Sequence, residues 1–318
     1  MYNFKLTKAY KKTYFEKVYM TNQIKENRMN LDFLKDRPLV ANVSGGKDST
    51  AMALFLIDLG LDFEPIFCDT GWEHQDTYAY LDYLESVVLK KPIRRIRNER
   101  FFKTSEGGYQ EMVKHTSFFP SGMLRTCTLQ LKVDPQLAYM DEVRALHHKK
   151  PVSAVGIRKD ESQARSTLGE FEEKDESTIW RPLIDWKVAD VVAIHKRFNV
   201  APNPLYTRGF SRVGCFPCIF SRKSEIKHAY HESPERFDLI RKLEQDVKQI
   251  AKDKGKKDAQ YSFFKRGTVD DVLDWALKND DQLELFEEEY LSGCLTWGLC
   301  DSGLSKKVIS EMDYENMK

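Results

Sequence analysis

Apolar residues along this chain fall in short bursts, separated by stretches with helical periodicity. Residues 38–43 (PLVANV) have strand length and are apolar at most positions, as in a strand covered on both faces. Residues 50–60 (TAMALFLIDLG) are apolar on most faces and predict a buried helix that stops at a glycine. Residues 63–71 predict a second strand ending in a turn, 76–88 an amphipathic helix, and 92–97 a third strand in which Ile93 and Ile96 flank paired arginines. A helix is predicted over 135–147, a further sheet strand over 151–158 and an amphipathic helix over 188–200. The charged stretch 159–178 reads as a long exposed loop. From about residue 233 onward the chain is helical and charged, and the lysine-rich tract 252–257 reads as a solvated helix end.

Strand, helix and strand at this spacing predict βαβ units, hence an α/β fold with a doubly wound parallel sheet. The expected organisation is a helical extension over 1–36, a nucleotide-binding α/β domain over 37–225, and a helical region over 226–318. The balance of 50 Lys and Arg against 49 Asp and Glu gives a net charge of +1, with 31% charged and 41% hydrophobic residues. That composition excludes a disordered charged tail, a collagen-like fibre and a small disulfide scaffold. The N-terminus has no apolar core of a signal peptide, and the greasiest stretch, 51–63, is broken by Asp58, Gly60 and Asp62. A cytoplasmic protein with no membrane partner is expected, and there clustered cysteines are more often ligands or catalytic thiols than disulfides.

The sharpest chemical signal lies between the first strand and first helix: Ser44, Gly45, Gly46, Lys47, Asp48 and Ser49. The glycines let backbone N–H groups turn toward an anion, and the helix N-terminus adds positive potential. Two hydroxyls and the Lys47 ammonium complete a phosphate site. Neither the Walker spacing nor a GxGxxG pattern is present. Asp48 is a candidate for holding Mg2+ or for capping the helix. Asp69, Thr70 and Gly71 end the second strand, and Arg158, Asp160, Glu161, Ser162 and Arg165 follow another, so both groups are expected at the same crevice. Cys68 reads as core and His74 as a surface helix start. Arg94, Arg95 and Arg97 read as edge-strand charges or a basic track for nucleic acid.

SGGKDS resembles the PP-loop of the adenine nucleotide α-hydrolase-like superfamily, whose fold is Rossmann-like and whose members cleave ATP between the α and β phosphates. CDTGWEHQDTYAYLDYL (68–84), RTCTLQLKVDP (125–135), GIRKDESQAR (156–165), RPLIDWKVADVV (181–192) and NPLYTRGFSRVGCFPC (203–218) are similar, in order, to segments of the phosphoadenosine phosphosulfate (PAPS) reductase family. The resemblance spans about residues 37–225. It implies that 44–49, Asp69, Thr70, Gly71 and Arg158 bind the nucleotide. The intact Lys47 and Asp48 are more similar to ATP-using relatives, such as sulfate adenylyltransferase small subunits and the DNA phosphorothioation ATPase, than to reductases proper. TWGLCDSG (296–303) is only loosely similar to the segment that carries the reductase nucleophile.

Cys215 and Cys218 form a CxxC pair, Cys294 and Cys300 a second pair, and Cys127 stands alone in RTCT. Sulfur-only ligands suit an iron–sulfur cluster or structural Zn2+, and a CxxC alone also suits redox chemistry. The resemblance implies a [4Fe–4S] cluster on Cys127, Cys215 and Cys218, with Cys294 or Cys300 as a fourth ligand; where relatives have a Cys–Cys pair, this chain has Cys127–Thr128. The leading expectation is an enzyme that binds ATP with Mg2+ and transfers AMP to an acceptor, with Lys47 and Asp48 catalytic. A phosphosulfate reductase using Cys300 or Cys294 and a thiol donor is the second. A non-catalytic nucleotide- or nucleic-acid-binding subunit is the third, and homo-oligomers are compatible with each.

Overall fold

The structure, a computed structural model, describes residues 31–256 and 261–278. Cys294, Cys300 and residues 1–30 lie outside the described residues. The described residues form a six-stranded sheet of β1 (Leu39–Asn42), β2 (Glu64–Cys68), β3 (Arg94–Ile96), β4 (Val152–Val155), β5 (Phe171–Glu173) and β6 (Thr178–Trp180), in the order β3-β2-β1-β4-β6-β5. Val40 pairs with Glu64 on one side and Ser153 on the other, both in parallel register. The chain thus builds outward through β2 and β3, then returns to the other side of β1 to lay down β4. That reversal leaves a crevice at the carboxyl ends of β1 and β4, where open α/β sheets bind ligands.

Two faces of the sheet are covered by α1 (Lys47–Asp58), α2 (Gln75–Tyr83), α4 (Asp134–His147) and α5 (Val188–Phe198). Between α2 and α4 runs α3 (Tyr109–Thr116). Helix α1 explains its apolar sequence: Ala51, Met52, Ala53, Leu54 and Leu56 are all buried, packed with Val191 and Ile194 of α5. It begins at Lys47, so the last three loop residues are already its first turn. Gly46 is its N-cap, and Gly45, at φ +73°, makes the reversal that a side chain would resist.

The stretch 159–178 is not a simple loop. Phe171–Glu173 forms β5, antiparallel to β6, and Arg181 reaches Glu172 across the pair. Its polar sequence hides it because an edge strand needs only one partner and tolerates charge. The helical region also starts earlier than expected, with α6 (Lys223–Glu232), followed by α7 (Pro234–Asp253) and α8 (Val269–Leu277). These helices bring Ile226, Phe237, Ile240 and Val272 into a second core with Trp72, Tyr109, Met112 and Leu131. The lysine tract is more than a solvated end. Lys254 donates to His115 O and Ser117 Oγ, and Lys256 to Thr116 O, so both cations meet the carbonyl end of α3. Among the described residues no helix is long and apolar enough to cross a membrane.

Candidate functional site

The glycine loop closes on itself first. Ser49 Oγ accepts from Ser44 N–H at 3.1 Å and donates to Gly46 O at 3.0 Å, and the Ser44 and Ser49 hydroxyls are 3.0 Å apart. A distant segment then closes over it: Asn203 Nδ2 donates to Gly45 O at 3.3 Å, and Lys47 N–H donates to Tyr206 OH at 3.0 Å. The Lys47 ammonium lies 3.3 Å from Asp48 Oδ2 and 5.3 Å from the centre of the Tyr206 ring. Burial works against its charge, but Tyr206 and the Asp48 carboxylate outweigh it and raise its pKa.

Arg158, only 2% exposed, donates from Nε to Asp48 Oδ1 at 2.6 Å and also pairs with Asp160. A side chain at Gly156 would come 2.6 Å from Asp48 O, so this glycine is what lets the chain after β4 lie against the first turn of α1. The structure therefore brings Lys47, Asp48 and Arg158 together as predicted, but in a closed chain of opposite charges. Asp48 does not cap α1. Its two carboxylate oxygens face two cations, which makes it a poor fit for holding Mg2+.

The turn after β2 forms the neighbouring wall. Asp69 Oδ1 accepts from Gly71 N–H at 2.9 Å and from Tyr78 OH at 2.7 Å. Tyr78 OH also reaches Glu73 Oε2 at 3.2 Å, and burial together with these carboxylates raises its pKa. Glu73 is buried and accepts from the N–H groups of Thr70 and Trp72 and from Thr70 Oγ1. Glu73 and Tyr78 were not singled out from sequence, because their roles depend on each other.

Three of the predicted thiols share one cavity. Cys127, Cys215 and Cys218 line a space of about 160 Å³ together with Lys132, Arg125 and Arg212. The CxxC turn hangs from the wall just described: Glu73 bridges to Cys215, Phe216 N–H donates to Trp72 O at 2.8 Å, and Trp72 Nε1 donates to Pro217 O at 3.1 Å. Trp72 is fully buried, stacked on Tyr109 and covered by the Arg236 guanidinium.

Burial pushes the Cys215 thiol up to about 12, against the pull of Lys132. The Lys132 pKa is raised, first by Cys215, in spite of its own burial. Lys132 is a residue the sequence reading missed. Lys132 lies in a π-type segment, Leu129–Val133, that continues the helical turn Thr126–Thr128, and it lines the same cavity as Cys127.

Other expectations fare differently. Cys68 is half-buried rather than core. Its Sγ lies 3.6 Å from Lys132 O, and burial pushes it up to about 11. His74 does start a helix, as the α2 N-cap, but it is buried. With Asp76 and Glu232 it gathers three potential metal ligands, yet Arg208 already pairs with both carboxylates. Arg94, Arg95 and Arg97 meet Glu64, Asp82 with Glu85, and Glu99 respectively, so the edge carries paired charges rather than a basic track.

The fold and the loop at its crevice define a Rossmann-like PP-loop protein with a thiol-lined cavity beside the loop. Residues 38–221 match the phosphoadenosine phosphosulfate reductase domain, and the chain belongs to that family. It is 33% identical over 257 residues to an uncharacterized 37.8 kDa protein of Escherichia phage 186, covering 65% of this chain and 75% of that one. It is 30% identical over 208 residues to an uncharacterized protein of Methanocaldococcus jannaschii, covering 64% of this chain and 40% of the relative. With an adenosine 5'-phosphosulfate reductase of Burkholderia cepacia it shares 34% identity over 156 residues, covering 47% of this chain and 57% of the enzyme. The chain thus spans about half the length of these last two relatives. A PAPS reductase structure from Candida auris, in a phosphate complex, aligns at TM-score 0.45 and 17% identity, over 68% of this chain and 98% of that one.

Proposed function

We propose that this chain is an enzyme that binds an adenine nucleotide through its phosphates at residues 44–49 and carries out sulfur-related chemistry at the adjoining thiol cavity. The observation that carries the reading is the loop itself. It sits at the crevice between β1 and β4, keeps Lys47 in the first turn of α1, and lies one connected segment away from Cys215 and Cys218.

In the first form of the proposal the nucleotide is ATP. An oxygen of the acceptor attacks the α-phosphorus, the bond from that phosphorus to the bridging oxygen breaks, AMP passes to the acceptor, and pyrophosphate leaves. Lys47 and the loop amides stabilise charge developing on the transferring group. Asp69, Thr70 and Gly71 wall the crevice, and Arg158 holds the first turn of α1 in place through Asp48. No step is assigned to Mg2+, because Asp48 already serves two cations.

Three thiols converge on one cavity, and sulfur-only ligands suit a metal–sulfur site. Cys127, Cys215 and Cys218 would hold a [4Fe–4S] cluster, which would supply electrons or a positive field to sulfur chemistry. Lys132 lines the same cavity and places positive charge beside Cys215.

The adenosine 5'-phosphosulfate reductase relative favours a second form, reduction of a phosphosulfate nucleotide. There a thiolate attacks sulfur, the nucleotide leaves, and a second thiol releases sulfite as a disulfide forms. One experiment separates the forms. Anaerobically purified protein is given ATP with Mg2+ and sulfate, tRNA or DNA, or else a phosphosulfate nucleotide with a thiol donor. Pyrophosphate release abolished by Lys47→Ala supports the first, sulfite release supports the second, and neither product with any substrate overturns both.

A further inference from the structure

The segment that closes over the loop offers more than packing. The Lys47 N–H is one of the backbone donors a phosphate would use, and it is satisfied by the Tyr206 hydroxyl at 3.0 Å. Asn203 is fastened to Gly45 O, and its Oδ1 caps Leu205 N–H at 3.0 Å, so the clamp is fixed at both ends of one short turn. A side chain at Gly46 would meet Tyr206 OH at 3.6 Å and Val213 O at 3.9 Å, so Tyr206 and Val213 lie directly on the loop. The same segment then enters the second site. Leu205, Phe210 and Val213 line the thiol cavity, and Gly214 and Cys215 follow at once. Tyr206 packs against Val192 and Val213, which ties the clamp to α5 and to the approach to the CxxC turn.

We propose that Tyr206 is a positioning residue whose hydroxyl holds the place of a phosphate oxygen on the Lys47 amide, and that a bound nucleotide displaces it and shifts residues 203–218. The phosphate loop and the thiol cavity would then be coupled through one strap, biased by whichever oxygen occupies that amide. The proposal rests on the reading that residues 44–49 bind nucleotide phosphates.

The test uses the full chain as purified, with Tyr206→Phe, which keeps the ring and removes the oxygen. Binding of ATP and of PAPS is titrated by calorimetry, and amide hydrogen exchange over 203–218 is compared with and without each nucleotide. The expected result has two parts. Tyr206→Phe binds roughly threefold to tenfold more tightly, because the unliganded amide has lost its partner, a factor typical of one neutral hydrogen bond. The nucleotide-dependent change in exchange, present in the wild-type chain, disappears. A structural defect would weaken binding instead of tightening it.

Weaker binding by a folded Tyr206→Phe, as judged by circular dichroism, would mean that the hydroxyl contacts the nucleotide directly, and overturns the displacement. Equal affinity and equal exchange in both proteins overturns the coupling while leaving the loop's role intact. No binding by the wild-type chain overturns the loop's role and the proposal together. Should Tyr206→Phe unfold, exchange in the wild-type chain alone decides: nucleotide that binds without altering 203–218 sinks the proposal.

Discussion

Arg158 shows how a single residue holds the crevice together. Its guanidinium is buried, with Asp48 and Asp160 as partners. Its removal leaves Asp160 unpaired and Asp48 with Lys47 alone, so Arg158→Met should cost about 1–3 kcal/mol in urea denaturation. Arg158→Lys should rescue little, since an ammonium lacks the planar fork that serves both acids. His195 predicts a pH effect. Its Nδ1 faces Val191 O, and burial holds its pKa down at about 4, below the ordinary 6.5. Above about pH 6.5 it is neutral in folded and unfolded chains alike and contributes nothing. As pH falls toward 4 the unfolded chain takes the proton first, so stability drops by up to about 3 kcal/mol, then levels off. His195→Leu should flatten that slope between pH 7 and pH 4; an equally steep loss in the variant would exonerate the histidine. At this scale residue type and spacing pointed to Lys47, Asp48 and Cys215, but not to the two cations that hold Asp48. The sequence was silent on Tyr206 and Glu73, whose partners lie at Lys47 and Tyr78 in the fold rather than in a motif.

Elements with strong apolar patterning, such as β1, α1, β4 and α5, were legible because burial on defined faces leaves a periodic trace. Strand β5 and helix α6 left none. The first is polar, and the second has only Glu225, Ile226 and Ala229 buried. The joint between β2 and α3 also escapes pattern reading, because it depends on the absence of side chains. Gly108 has φ +81°, and a Cβ there would fall 2.0 Å from Thr70 O. Gly108→Ala should therefore destabilise the chain by about 3 kcal/mol or more, combining a disfavoured backbone with overpacking. Thermal unfolding followed by circular dichroism would check it. A shift no larger than that of an exposed control, such as Gly60→Ala, would contradict the close approach.

Among the described residues the two largest cores lie one against the sheet and one joining residues 72–131 to the C-terminal helices. Phe237 on α7 is fully buried in the second. Phe237→Ala should cost about 3–5 kcal/mol and lower the midpoint of a single unfolding transition. Two separated transitions would show instead that the helices fold as an independent unit. The thiols make a prediction of the same scope. Cys127→Ser, Cys215→Ser and Cys218→Ser should each lower bound iron in anaerobically purified protein, whereas Cys68→Ser should leave it unchanged; elemental analysis decides. The Trp72 indole, stacked on Tyr109 and bonded to the carbonyl of Pro217, has one further consequence. An indole wired to the CxxC turn is a built-in optical gauge of that site. Its emission should be quenched when an absorbing metal group is loaded and recover when it is removed. The difference between the parent chain and Trp72→Phe would isolate that signal, so occupancy of the cavity can be followed in real time without a label.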